Sequence, residues 1–147
     1  MIVREGEPKD APRALAIWRA AVDETHGFLT TEDRQAIERQ VSEFLPQSPL
    51  WVVETGGEVA GFMVLEGKMI EALFVDPAFH GQGAGSALVA HALEIAPDAT
   101  VDANEQADNA VPFYLAKGFE RIGRSERDDQ GRPYPIIHFR FPAADLG

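Results

Sequence analysis

The chain has 147 residues, room for one domain with a real core, and its 45% apolar content is that of a soluble globular protein. There is no cysteine, which excludes disulfides, a thiolate nucleophile and cysteine-based zinc sites, and a reducing cytoplasm is the expected compartment. Thirteen Lys and Arg against 24 Asp and Glu give a net charge of −11, which excludes a general nucleic-acid binder.

Such a surface draws in cations, amines included, or simply keeps the chain in solution. No apolar run reaches the length of a membrane span, and Met1-Ile2-Val3-Arg4-Glu5 is no signal peptide. Ile2 to Glu5 reads as a first strand. Glu7-Pro8-Lys9-Asp10 is a turn with helix-start chemistry, and Pro12 is tolerable in a first helical turn. From about Ala11 to Glu24, Leu15, Trp18, Ala21 and Val22 fall at three- and four-residue spacing, so this is an amphipathic helix. The segment His26-Gly27-Phe28-Leu29 breaks it. Thr30 with Asp33 resembles a capping box and starts a second helix, whose apolar face is Ile37, Val41, Phe44 and Leu45. Pro46 and Pro49 stop it.

Leu50 to Glu54 and Val59 to Leu65 are strands joined by the hairpin signal Thr55-Gly56-Gly57-Glu58. Glu66-Gly67-Lys68 leads into a third strand, Ile70 to Val75, so these three form an antiparallel meander. Asp76-Pro77 ends it. Gly81, Gly83 and Gly85 then precede a helix from about Gly83 to Ala96. Glycines at a helix start let a ligand approach the backbone, and the unpaired N–H groups with the helix dipole favour a phosphate. A tight turn without a ligand is the alternative reading. No Gly-Lys-Ser/Thr follows, so this is not a P-loop. Asp102 lies about twenty residues beyond the loop, where a dinucleotide fold would place its ribose-binding acid. Such a fold, however, puts its glycine loop after the first strand and then repeats βαβ units. Thr100 to Asn104 is the next strand and, following a crossover helix, runs parallel to the one ending at Val75. Asp108 to Lys117 is a short helix capped by Gly118. Phe119 to Arg124 and Pro135 to Phe141 are the last strands, linked by the turn-rich Asp128 to Pro133.

Two segments carry a family resemblance. Leu73-Phe74-Val75-Asp76-Pro77 followed by His80-Gly81-Gln82-Gly83-Ala84-Gly85 resembles the acetyl-coenzyme A loop of the GNAT superfamily of N-acetyltransferases, Gln/Arg-x-x-Gly-x-Gly/Ala. Ala110 to Phe119, with Phe113-Tyr114 before Gly118-Phe119, resembles the second family signature. The two lie about thirty residues apart, and the order of elements matches over essentially the whole chain. The stretches Thr25 to Leu29, Asn104-Glu105-Gln106 and Gly131 to Pro135 are similar to a small bacterial branch of these enzymes. Two positions depart from the pattern: His80 heads the loop where Arg or Gln is usual, and Ala107 stands where an Asn is common, flanked by Asn104 and Asn109.

The resemblance implies an α/β fold of α+β type: a mixed central sheet of about seven strands, an antiparallel meander then one parallel crossover, four helices, and a V-shaped splay between the fourth and fifth strands. It implies acetyl-CoA as co-substrate, with the backbone of Leu73, Phe74 and Val75 pairing with the pantetheine. The loop His80, Gly81, Gln82, Gly83, Ala84, Gly85 and Ser86 would hold the pyrophosphate, and Asn104, Asn109 and Lys117 complete the cofactor site. The acceptor would be a primary amine of a small molecule or peptide. An amine attacks only when neutral, and alkylammonium has a pKa of about 10.4, so a base is useful. Glu71, a carboxylate in an apolar strand beside the thioester site, is the candidate; pairing with a lysine or facing solvent is its alternative. Tyr114 could donate to the departing thiolate or be an ordinary core tyrosine. Direct transfer in a ternary complex is expected, since the usual cysteine nucleophile is missing. His26, Phe28 and Tyr134 are candidate acceptor contacts. Trp18 and Trp51 could also line the acceptor pocket, though core packing is their default reading; His91 reads as a helix-surface or packing residue and His138 as a strand residue. The histidine spacing gives no metal site. A non-catalytic acyl-CoA sensor of the same fold is the rival function; monomer and homodimer are both open.

Overall fold

The computed structural model describes residues 1–25, 27–107 and 109–142. The expected segment at His26 and the expected helix start at Asp108 therefore lie outside the described residues. The strands are β1 (Ile2–Glu5), β2 (Leu50–Thr55), β3 (Glu58–Glu66), β4 (Met69–Val75), β5 (Thr100–Asn104), β6 (Glu120–Ser125) and β7 (Ile136–Arg140); the helices are α1 (Ala11–Thr25), α2 (Thr31–Phe44), α3 (Ala84–Ile95) and α4 (Ala110–Ala116). One sheet holds all seven strands in the order β1-β2-β3-β4-β5-β7-β6. Every pairing is antiparallel except β4 with β5. The meander, the single parallel crossover through α3 and the four helices are as the sequence predicts. The order at the far edge is new, because β7 inserts between β5 and β6.

Two apolar layers sandwich the sheet. On one face Ala14, Ile17, Trp18 and Val22 of α1 pack on Val52, Phe62 and Val64. On the other, Leu88, Val89 and Ala92 of α3 and Tyr114 of α4 pack on Met63, Ile70, Val101, Ile137 and Phe139. Alternation along each strand sends successive side chains to opposite layers. In α1 the fully buried residues are Ala14 and Ile17, with Leu15 only partly buried. In α2 no residue is buried, and Phe44 is 40% exposed; of its expected apolar face only Leu45, in the following turn, is sealed at 2%. Ile37 and Val41 pack only partly buried against the core, and Arg34 adds an ion pair to Asp23 of α1 and lies 4.9 Å over the Trp18 ring.

The α1 start is fixed by Asp10, which is 7% exposed. Its carboxylate accepts the Glu7 N–H at 2.8 Å and two bonds from the Arg4 guanidinium at 3.0 and 3.1 Å. The Arg4 hydrogen bonds hold the Asp10 pKa below its ordinary value, against the opposing effect of burial.

Two features of β4 shape its C-terminal half. Its pairing with β5 is confined to Met69–Thr100 and Ile70–Val101, after which the strands part. This is the expected splay. And the β3–β4 register steps from Leu65–Ile70 to Val64–Ala72, so Glu71 is an extra residue in a β-bulge. Ile70, Leu73 and Val75 pack toward α3, whereas Ala72 and Phe74 pack toward α1.

Candidate active site

Where β4 leaves β5, a cleft of about 470 Å³ opens between the sheet, α1, α3 and α4. Its floor is Leu73, Phe74 and Val75, and its wall is the loop His80, Gly81, Gly83, Ala84, Gly85 and Ser86. Asn109 at the N-cap of α4 and Tyr114 within it complete the cleft, together with Phe79, Ala110, Phe113, Ala21 and Thr25, which are not among the site residues expected from sequence. Beyond Ile70 no described strand pairs with the β5-facing edge of β4, so its N–H and C=O groups face the gap. Such an edge accepts an extended ligand as an added strand.

The three alternate glycines do different work. Gly81 and Gly83 have φ of +77° and +86°, and a Cβ on either would meet no atom within 4 Å. The space over that backbone is open to a ligand, and the conformation suits glycine. Gly83 is the N-cap of α3, whose first turn leaves the Ala84, Gly85 and Ser86 N–H groups without intrahelical partners. Donors and helix dipole thus converge on a place that fits a pyrophosphate. Gly85 serves packing instead: a Cβ there would lie 3.2 Å from Phe113 Cζ, so its absence lets α3 and α4 close together. Ahead of the loop, Asp76 accepts the Ala78 N–H at 3.0 Å and pairs with Arg13 at 2.8 Å. Burial raises the Asp76 pKa, but the Ala78 and Arg13 bonds outweigh it and hold the carboxyl below its ordinary value.

Tyr114 is 6% exposed and lies in an aromatic cluster, 5.1 Å from Phe113, 5.5 Å from Phe119 and 6.0 Å from Phe139 between ring centres. Burial pushes its phenol pKa well above the ordinary value, and no hydrogen bond to the hydroxyl contributes. The phenol therefore stays protonated across the neutral range, and Tyr114 lines the cleft.

Of the other expected cofactor residues, Gln82 is exposed beside the loop and does not line the cleft. Asn104 accepts the Gln106 N–H at 3.0 Å, which turns the chain after β5, whereas Asn109 faces the cleft. Lys117 stacks 5.7 Å over Phe113, and so sits behind the cleft wall.

Glu71, the bulge residue of β4, does not line the cleft; it is exposed and makes no hydrogen bond or ion pair among the described residues. Partial loss of water around its carboxyl is the largest influence on it, followed by the charges of Glu66, Asp102 and Asp129; all raise its pKa above the ordinary value. Phe28 and Tyr134 do meet, at 5.8 Å. Tyr134 is nonetheless buried, its hydroxyl donating to Asp33 and accepting the Thr30 N–H at 3.4 Å. The expected capping box is therefore half-formed: Thr30 Oγ1 accepts the Asp33 N–H at 3.1 Å, but the Asp33 carboxylate turns to Tyr134 and to Arg132, at 3.8 Å. The segment between β6 and β7 is thereby pinned to the connection between α1 and α2. Trp18 is buried in the α1-side core, and Trp51 packs, partly buried, against the α3-side core. The His91 ring lies 4.2 Å from Trp51, tilted by 55°, and its buried Nε2 has no hydrogen-bond partner among the described residues. Among the described residues no His, Asp and Glu group could hold a metal ion, and no helix is long and apolar enough to cross a membrane.

Comparison with known proteins gives a consistent picture. The acetyltransferase (GNAT) domain family matches residues 18–134. Peptidyl-lysine N-acetyltransferase YjaB of Salmonella typhimurium is 47% identical over 141 residues, covering 95% of this chain and 97% of the relative. The protein of the same name from Escherichia coli is 44% identical over 143 residues, covering 97% of each. A solution structure of apo-form YjaB from Escherichia coli superposes with a TM-score of 0.91 at 44% identity, covering 98% of this chain and 100% of that one.

Proposed function

The chain belongs to the GNAT acetyltransferase family and is an acetyl-CoA-dependent N-acetyltransferase, and from that premise we propose that its acceptor is the side-chain amine of a lysine in a peptide or protein. The observation that carries this reading is end-to-end similarity to two enzymes named for that acceptor, at 47% and 44% identity.

Acetyl-CoA supplies an activated acetyl thioester. The free edge of β4 at Leu73 to Val75 pairs with its pantetheine arm, with Asn109 alongside. The N–H groups from Gly81 to Ser86 hold the pyrophosphate, with His80 near the anion and Gln82 and Lys117 at the margin. Glu71, exposed and with its pKa raised above the ordinary carboxyl value, takes a proton from the arriving ammonium in its ionised form. The freed lone pair attacks the acetyl carbon. Tyr114 donates a hydrogen bond to the sulfur as negative charge gathers there. Full proton transfer to sulfur asks more, because a phenol above its ordinary pKa is a weaker acid than a thiol of pKa about 8.5. Phe28 contributes to the acceptor wall, and Tyr134 acts by holding that wall in place.

A panel assay tests the acceptor. Thiol release from acetyl-CoA is followed with lysine peptides blocked at the N-terminus, with peptides bearing only a free N-terminus, and with small amines. Preference for the blocked lysine peptides is expected. Equal or faster turnover of the other classes would overturn the lysine reading while leaving the enzyme class intact.

A further inference from the structure

β5, β7 and β6 lie side by side, and their register sets three polar side chains in a row. Asp102 is opposite His138 across β5 and β7, and Gly123 is opposite His138 across β6 and β7, with Ser125 two residues further on. His138 Nδ1 is 2.6 Å from Asp102 Oδ1, and its Nε2 is 2.7 Å from Ser125 Oγ. A carboxylate can only accept, so Nδ1 carries the proton. In the neutral ring Nε2 must then accept, and the Ser125 hydroxyl donates to it. Both ends of the imidazole are thus committed, and the Asp102 carboxylate is anchored. Val101 and Ala103 point to the α3 layer, so Asp102 points the other way, toward the acceptor side.

The inner end of the row meets the splay. Ile70 and Val101 form the last β4–β5 pair, and the next residues on the two diverging strands are Glu71 and Asp102. The charged groups around Glu71 are Glu66 on β3, Asp102 on β5 and Asp129 in the β6–β7 segment, with His138 acting through Asp102.

We propose that Asp102, His138 and Ser125 form a positioning unit for acetyl transfer, which fixes one carboxylate at the mouth of the splay so that Glu71 takes the acceptor's proton beside a standing negative charge. This rests on Glu71 as the base. In that step an N–H bond of the ammonium breaks and an O–H bond of Glu71 forms. The nitrogen keeps the electron pair for the acetyl carbon, and exposed Glu71 returns the proton to solvent. Asp102 raises Glu71's hold on the proton only while it is charged and close, and the two hydrogen bonds through His138 keep it close.

The test is the pH profile of kcat/KM for lysine-peptide acetylation by the full chain. Asp102→Asn removes the charge and keeps the shape. The acid limb should move to lower pH by about half to one unit, the size expected for one nearby like charge in a partly solvated site. His138→Ala should move it partway in the same direction, Ser125→Ala less. His138→Asn, which keeps an N–H near the Nδ1 position, should restore the wild-type limb. Acetyl-CoA affinity by calorimetry should be unchanged in all four. A limb that stays at its wild-type pH in both Asp102→Asn and His138→Ala overturns the positioning role, and so does a His138→Asn profile no better than that of His138→Ala. Glu71→Gln separates the two ideas. If it flattens the limb while Asp102→Asn leaves it in place, Glu71 stands and the unit falls. If the limb survives Glu71→Gln, the base assignment fails and the unit fails with it.

Discussion

Replacing Tyr114 by Phe removes one oxygen from an otherwise undisturbed ring. The ring is held by contacts with Phe113, Phe119 and Phe139 at 5.1, 5.5 and 6.0 Å, none of which needs the hydroxyl. The hydroxyl gains nothing from a protein hydrogen bond, and burial costs it hydration. Folding stability should therefore change by less than about 1 kcal/mol, and the melting temperature by no more than about 4 °C for a chain of this size. Acetyl-CoA affinity should also hold if, as proposed, the backbone of β4 and the loop carry binding. What is lost, on the proposed mechanism, is a hydrogen-bond donor to the charge developing on sulfur. A donor of that kind is worth on the order of 10²- to 10³-fold in kcat, or about 2.7 to 4 kcal/mol. Continuous thiol detection gives kcat, calorimetry the cofactor affinity, and a thermal melt the fold. If kcat stays within about threefold of wild type while the other two are unchanged, Tyr114 is a packing residue and the donor role is refuted.

Two further perturbations probe the frame around the site. Gly83→Val forces a branched side chain into a backbone at φ +86° and fills the open space over the loop; acetyl-CoA affinity should fall at least about tenfold by titration, with about 1–3 kcal/mol of stability lost to strain. Unchanged affinity would make the loop only a turn. Asp10→Asn leaves the Arg4 guanidinium facing a neutral amide and should cost about 2 kcal/mol near neutrality by urea unfolding. Because the Asp10 pKa is depressed in the fold, its contribution is present above the ordinary carboxyl range and is lost as pH falls through the depressed value. Wild type and variant should therefore converge in acid; a gap that persists there would place the stabilisation elsewhere.

Much of the frame was legible because its signals are local. Thr55-Gly56-Gly57-Glu58 announced a hairpin, and Gly56 and Gly57 do take φ of +60° and +83°. The crossover helix forced β5 parallel to β4. The loop and Phe113-Tyr114 came together in one cleft because α3 and α4 are separated by a single strand. What stayed hidden depended on pairing between distant segments. Nothing in the spacing of Phe119 to Phe141 says that β7 lies inside β6, and without that order Asp102, His138 and Ser125 are unrelated residues. Asp102 looked like a coincidence of βαβ length and His138 a plain strand residue. Asn104 and Asn109 were equivalent by type; only the Gln106 turn separates them. Helical periodicity does not reveal that Phe44 stays 40% exposed, nor aromatic type that the Tyr134 hydroxyl is already engaged by Asp33.

Glu71 owes its place to irregularity in β4. It is supernumerary: with that residue excised, Ile70 would run straight into Ala72, and Leu65 and Val64 of β3 would face consecutive partners. Ile70, Leu73 and Val75 would still turn to α3, and Ala72 and Phe74 to α1. The strand would be smoother, the two cores untouched and the cleft floor in phase. The architecture thus has no structural use for this position, and hosts a carboxylate there as a guest of the ladder.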